Sequence, residues 1–147
     1  MDVGEEVTPY HPDDDTLRKI YDDTQTIAIV GLSSNPERDS NGIGRYLKSK
    51  GYRIIPVNPN EDQVLGEKAY PAVTDVPDPV DVVDVFRRAE ETPEIARQAV
   101  EKGARVLWLQ EGIVNDEARR IGEEGGLQVI MGICMGATHR RLTMYEE

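Results

Sequence analysis

The sequence predicts a single α/β domain, doubly wound on a mostly parallel sheet of five to six strands, and three observations predict it. Short β-branched and apolar runs at 26–30, 52–57, 80–86, 104–109 and 127–131 alternate with stretches whose apolar residues recur at helical spacing. The runs are continuous rather than alternating, as strands covered on both faces require. Each connection is long enough for the crossover that parallel strands need, and such crossovers are right-handed almost without exception.

Taken in order, residues 1–12 read as an acidic mobile tail ahead of a domain over 13–147. Residues 13–23 read as a helix capped by one of Asp13, Asp14 and Asp15, with Leu17, Ile20 and Tyr21 on one face. The first strand, 26–30, is stopped by Gly31, and residues 32–40 are small, polar and turn-forming. A helix over 41–50 carries Ile43, Tyr46 and Leu47 on one face, with Ser40 or Asn41 as its cap and Gly51 in a left-handed position after its end. The second strand, 52–57, follows at once. Between Asn60 and Pro79 a short third strand near 68–70 and a helical turn around Val73 are expected. The strand at 80–86 carries Asp81 and Asp84, which are expected at edge or end positions or as acceptors for backbone and hydroxyl donors. Thr92 as cap and Pro93 as first residue open a helix whose stripe is Ile95, Ala96, Ala99 and Val100, ending at Gly103. After the strand at 104–109, Asn115 caps a helix over Asp116–Glu124 that Gly125 and Gly126 end. The last strand, 127–131, leads to a short tail with His139, Arg140 and Arg141.

Charge narrows the function classes. The 147 residues hold 28 Asp and Glu against 17 Lys and Arg, a net charge of −11. Such a surface repels nucleic acid and anionic lipid at long range and argues against both as general partners. Arg outnumbers Lys 12 to 5, with 13 Asp, a mixture that fits a high-salt cytoplasm. No apolar stretch approaches the roughly 18 residues of a membrane span, and the acidic start is the reverse of a targeting peptide, so a cytoplasmic location is expected. The one cysteine, Cys134, excludes an internal disulfide framework. His11 and His139 form no ligand-spaced cluster, so no metal is expected.

In a doubly wound sheet the ligand sits outside the carboxyl ends of the strands, at the point where strand order switches. Four stretches fall there: the loop 31–40, the turn 58–60, residues 86–88 and residues 110–113. Loop N–H groups and a helix N-terminus make that rim favourable for an anion, most often phosphate. A nicotinamide or flavin dinucleotide fits poorly. The G-x-G-x-x-G fingerprint is absent after Gly31, where Leu32, Ser33 and Ser34 follow, and the second strand ends on Asn58 and Pro59 with no acid for the ribose hydroxyls. A neutral Asn58 tolerates a phosphorylated ribose. The Walker pattern is missing as well.

The segments IAIVGLSSNPERDS, RYLKSKGYRIIPVNP, LGEKAYPAV, PVDVVDVFRRAEE, VLWLQEGIVNDEA and GGLQVIM follow one another between Thr26 and Cys134. In that order and spacing the chain resembles the small stand-alone coenzyme A binding proteins, whose fold is similar to the N-terminal domain of the succinyl-coenzyme A synthetase alpha subunit. The resemblance implies a Rossmann-like domain that holds coenzyme A or an acyl-CoA as a small-molecule ligand and supports binding better than activity; the strand ends themselves offer no histidine, lysine or paired carboxylates apart from Glu111, so no catalytic residue is expected. It places Gly31, Leu32, Ser33, Ser34 and Asn35 at the pyrophosphate or pantetheine, and Arg38 and Asn58 near phosphate and ribose. Ser40, Asn41 and Gly42 at the helix start and Pro59 in the turn belong to the same rim. Phe86 and Arg87 border the adenine or pantetheine, and Gln110, Glu111, Gly112 and Ile113 close the far side. Where the family has an Asp-Arg pair before the cysteine this chain has Gly132 and Ile133, which receive no role. Sheets of this kind often pair through an edge or a helix face, so a homodimer is compatible with the pattern.

Two alternatives remain open. One is binding of another adenine nucleotide of the NAD type. The other starts from Gly132-Ile133-Cys134-Met135-Gly136, which fits a nucleophile elbow with cysteine in place of serine and His139 nearby, and points to Cys134-dependent acyl transfer or hydrolysis. The elbow reading is the weaker, because only eleven residues follow Gly136 and the acid and histidine of such a triad come later in the chain. A small residue in a strand-end turn explains Cys134 as well, just as a core position explains Trp108 and mutual pairing explains Glu37, Arg38 and Asp39.

Overall fold

The computed structural model describes residues 10–144, and in it apolar runs and helical stripes become alternating strands and helices. In chain order they are α1 (Asp14–Asp23), β1 (Thr26–Val30), α2 (Asp39–Ser49), β2 (Arg53–Val57), β3 (Gln63–Val64), β4 (Glu67–Lys68), β5 (Val82–Val85), α3 (Thr92–Lys102), β6 (Val106–Glu111), α4 (Asp116–Glu124), β7 (Gln128–Gly132) and α5 (Met135–Thr143).

Five strands form one sheet in the order β2-β1-β5-β6-β7, and every neighbouring pair in it is parallel. Alternate residues of each strand feed two separate cores. Ala28, Val30, Val83, Val85, Leu107 and Leu109 pack under Ile95, Ala96 and Ala99 of α3 and Ala118 of α4. Ile27, Ile29, Val82, Trp108 and Ile130 pack on the other face, under Leu17 and Ile20 of α1, Leu47 of α2 and Met135 and Leu142 of α5. Double coverage is why the strands read as continuous apolar runs, and each fully buried large side chain contributes about 1.5–3 kcal/mol. The fold is the single-domain Rossmann-like α/β architecture that the sequence predicts.

The crossover from β1 through α2 runs to one side of the sheet, and that from β5 through α3 runs to the other. A crevice therefore opens where the carboxyl ends of β1 and β5 diverge, which fixes the position of a ligand site before any side chain is considered.

Several elements depart from the sequence reading. The third strand is not part of the sheet: β3 and β4 form a separate antiparallel hairpin, and Tyr70 makes only an isolated bridge to Val57. The helical turn at Val73–Asp75 is present. Helix α2 begins two residues early, so Ser40 and Asn41 lie inside its first turn and do not cap it. Both turn back to the loop instead, Ser40 Oγ accepting from Ser33 N at 3.0 Å and Asn41 Nδ2 donating to Ser33 O at 2.8 Å. Gly51 does take the left-handed position after α2, with φ +98°. Thr92 likewise lies within α3, and its hydroxyl donates to Ala89 O at 2.7 Å. Asp13 and Asn115 cap α1 and α4, accepting from Thr16 N and Ala118 N at 2.9 Å.

The expected C-terminal tail is helix α5, docked into the second core. Tyr21 OH donates to Met135 O at 2.6 Å and Trp108 Nε1 to Ile133 O at 2.9 Å, tying α1 and β6 to the entry of α5. Of the expected N-terminal tail, residues 1–9 lie outside the described residues, while the Tyr10 carbonyl accepts from Met131 N at 2.7 Å.

Candidate functional site

The site starts from Gly31, the residue that ends β1. Its φ is +89°, its N–H donates to Val57 O at 2.8 Å, and a Cβ placed there would lie 2.6 Å from Phe86 O. Glycine thus lets the exits of β1 and β5 pass in contact, at a backbone angle other residues adopt only under strain.

Beyond Gly31 the loop is tied by its own polar side chains. Asn35 N donates to Ser33 Oγ at 3.0 Å, and Glu37 N to Asn35 Oδ1 at 2.9 Å. Ser34 N donates to Glu61 Oε2 at 2.8 Å, so a carboxylate from the segment after β2 already sits on a loop amide. Asn58 Nδ2 donates to Leu32 O at 3.1 Å and its Oδ1 accepts from Asn60 N at 2.9 Å, which locks the β2 turn to the loop.

Two adjoining clefts open at this rim. The larger, about 850 Å³, lies between Pro36, Gly42 and Ile43 on one side and Gln110, Glu111, Ile113 and Cys134 on the other. The smaller, about 600 Å³, is walled by Gly31, Ser33, Ser40, Asn58, Asn60 and Glu61. Glu37, Arg38, Asp39, Phe86 and Arg87 line both, so the two form one path across the switch point. An elongated ligand fits such a path better than a compact one.

The charges along it are mixed. Arg87 forms an ion pair with Glu91 at 2.7 Å, and Arg88 lies 3.3 Å from the same carboxylate. These arginines, Arg87 foremost, hold the Glu91 carboxyl below its usual range. Arg38 is exposed and makes no side-chain hydrogen bond, ion pair or ring contact with a described residue, whereas every other described arginine makes one. The expected mutual pairing of Glu37, Arg38 and Asp39 is therefore not formed.

Asp84 lies below the floor of the larger cleft. It is fully buried, as is its in-register neighbour Trp108. Gln110 Nε2 donates to Asp84 Oδ1, and Asp84 Oδ2 has no hydrogen-bond partner among the described residues. Burial pushes this carboxyl up to about 7, against the opposing hydrogen bond from Gln110. The expectation of a strand-edge or well-satisfied Asp84 is thus corrected. Asp81 meets it: Asp81 Oδ2 accepts from Gln25 N and Thr26 N at 2.9 and 3.0 Å. Cys134 is half-buried beside the cleft and serves as the N-cap of α5, its Sγ accepting from Ala137 N at 3.4 Å. Burial raises its thiol, the opposite of the shift that activates a nucleophile. His139 Nδ1 is within 2.8 Å of Tyr46 OH, and its ring makes edge contacts with Tyr21, Tyr46 and Tyr52.

Of the residues singled out in the sequence, Gly31, Ser33, Arg38, Ser40, Gly42, Asn58, Phe86, Arg87, Gln110, Glu111 and Ile113 line one or both clefts. Leu32 and Asn41 are turned inward, Leu32 wholly buried in the core. Ser34, Asn35 and Gly112 are exposed but line neither cleft, and Pro59 lines a neighbouring groove beside Pro71, Ile95 and Gln98. Gln110 is a strand residue, because β6 runs two residues beyond the expected 104–109. Glu61, Ile43 and Cys134 were not among the expected binding residues. Ile43 and Cys134 follow from the docking of α5, which the sequence pattern hides, and Glu61 follows from the turn at 58–61, directly after β2, which folds back on the loop.

The sequence matches the CoA binding domain family over residues 25–140. It is 40% identical over 129 residues to the uncharacterized protein YneT of Bacillus subtilis, covering 88% of this chain and 96% of that one. It is 34% identical over 103 residues to an ADP-forming acetate–CoA ligase II of Archaeoglobus fulgidus, covering 69% of this chain but 15% of the ligase. Among solved structures, a hypothetical protein from Pyrococcus horikoshii superposes with a TM-score of 0.91 at 41% identity, covering 97% of this chain and 99% of that one. The chain is thus similar over full length to small proteins and over a small share to the larger ligase.

Proposed function

The chain belongs to the CoA binding domain family, and from that premise we propose that it binds coenzyme A or an acyl-CoA along the two joined clefts, as a holding module without a reaction of its own. The observation that carries the reading is Arg38. In a chain of net charge −11, whose other described arginines are engaged, one exposed guanidinium without a partner among the described residues stands on the shared wall of both clefts, at the N-terminus of α2. A guanidinium offers planar, bidentate donors that match a phosphate, and the helix dipole adds to its field.

On this reading the loop from Gly31 to Asn35, with Ser40, Asn41 and Gly42, surrounds the pyrophosphate, Leu32 and Asn41 acting through backbone or scaffold. Arg38 takes a phosphate, and Asn58 and Pro59 lie at the ribose. Phe86 and Arg87 sit at the midpoint of the path, and the segment from Gln110 through Glu111 and Gly112 to Ile113 borders the pantetheine arm. The ligase activity in the name of the Archaeoglobus relative belongs to a much longer protein and is not transferred. The raised Cys134 thiol argues against the elbow chemistry.

Calorimetric titration with coenzyme A, NAD and ATP in parallel tests the proposal. Saturable binding of coenzyme A, with NAD and ATP at least tenfold weaker, is expected. Equal or tighter binding of NAD or ATP would replace it with the general adenine-nucleotide reading.

A further inference from the structure

Gln110 is 3% exposed, and its amide is held by one bond, from Nε2 to Asp84 Oδ1. Its Oε1 has no partner among the described residues. Asp84 Oδ2 is the one fully buried unpartnered side-chain oxygen or nitrogen among them, so Oε1 meets the cleft surface. Ile43, Phe86, Ile113 and Cys134 line the same cleft, together with the charged residues at 37–39, 87, 88 and 111. Among these, the amide of Gln110 is the buried one, and a buried amide at a cleft wall selects its neighbour by hydrogen-bond type, because an unmatched buried acceptor or donor costs more than a formed bond gains.

Resting on the coenzyme A reading, we propose that the Asp84–Gln110 pair is a proton-controlled selector for the thiol end of the ligand, distinguishing the free thiol from an acyl thioester. With Asp84 ionised, Gln110 gives its N–H to the carboxylate and turns Oε1 to the cleft, where an S–H can donate. With Asp84 protonated, its O–H donates to Oε1, the amide turns over, and the Gln110 NH₂ faces the cleft, where a thioester carbonyl can accept. No bond is made or broken; one proton and one amide rotation exchange an acceptor for a donor.

The surroundings leave Asp84 as the group that switches. Tyr21 of α1 and Cys134 before α5 are the titratable groups that interact with it, and burial raises both, keeping them neutral where Asp84 titrates. Its neighbours in register, Ile29 on β1 and Trp108 on β6, carry no charge. His139 lies against the Tyr21 ring, and Glu111 acts on Cys134.

The test measures the affinities of the full chain for coenzyme A and acetyl-CoA between pH 5.5 and 8.0, with desulfo-coenzyme A as a ligand lacking the sulfur. The acetyl-to-thiol ratio cancels the titration of the shared phosphates. We expect the preference for acetyl-CoA over the thiol to fall about fivefold or more as pH rises through about 7. In Asp84→Asn, whose side chain cannot ionise, the ratio should lose its dependence on pH. Coenzyme A binding with a pH-independent ratio in the wild type would overturn the selector and leave the functional reading intact. Failure of all three ligands to bind would instead sink the functional reading. Independently of any ligand, and if Asp84→Asn does not fold, the wild-type carboxyl ¹³C resonance of Asp84 and the side-chain NH₂ of Gln110 must shift together near pH 7. A Gln110 amide that ignores that titration overturns the selector.

Discussion

Replacing Arg38 by alanine isolates the ligand contribution of one side chain. The guanidinium makes no native hydrogen bond or ion pair with the described residues, and Arg38 precedes α2 without a side-chain cap bond, so nothing in the fold is lost with it. Folding stability should change by less than about 0.5 kcal/mol, the range of surface substitutions away from specific contacts. Against a phosphate the same group forms a charge-assisted hydrogen bond, worth up to about 3 kcal/mol when desolvated and nearer 1 when exposed. The open rim places it between those limits, at about 1–2 kcal/mol, which is about 5- to 30-fold in affinity for coenzyme A. Calorimetric titration beside thermal unfolding reads both quantities, and Arg38→Lys, a point charge without the planar fork, should recover part of the loss. An Arg38→Ala protein with wild-type unfolding and an affinity within twofold of wild type would refute the reasoning and remove Arg38 from the site.

Three other substitutions probe the rim and its floor. Gly31→Ala should destabilise the fold by about 2–4 kcal/mol, since φ is +89° and the new Cβ would lie 2.6 Å from Phe86 O; an unchanged denaturation midpoint would contradict it. Glu61→Gln removes the carboxylate that occupies Ser34 N and should tighten coenzyme A about two- to fivefold in the same titration. Because burial raises the Asp84 carboxyl from 3.8 to about 7, the folded state binds a proton that the unfolded state releases. The stability this proton lends is complete below about pH 4 and is lost as pH climbs through 7, by up to about 4 kcal/mol. Asp84→Asn should therefore gain stability relative to wild type between those values in urea melts, and a pH-independent difference would exclude the raised carboxyl.

The sheet was legible because continuous apolar runs have few other uses in a chain this short, and β1 was placed to the residue. The four strand-end stretches followed from topology alone. What stayed hidden was whatever depends on a neighbour. The buried face of α5 is built from Met135, Gly136, Thr138, His139 and Leu142, of which only Met135 and Leu142 are large and apolar, too little hydrophobic contrast to announce a helix. Ser40, Asn41 and Thr92 have good capping chemistry, yet the preceding loop claims their side chains, and the helices already include them. Asp84 looked like an edge residue because a carboxylate in the central strand is costly; only the cleft above it and the Gln110 amide beside it give that cost a purpose.

The charge of the chain and its proposed ligand pull in opposite directions, and the rim shows how they are reconciled. A net charge of −11 repels an anionic ligand at distances beyond a Debye length, about 8 Å at physiological salt, so attraction has to be local. Glu37, Asp39 and Glu61 carry the repulsion to the cleft itself. Against them stand Arg38, the start of α2 and the amides of the loop before it, all within residues 31–40. Added salt screens the distant repulsion before it weakens contacts at hydrogen-bond distance. Association should therefore quicken with moderate salt while dissociation quickens only at higher salt, the reverse order to a basic nucleotide-binding surface, where steering is lost first.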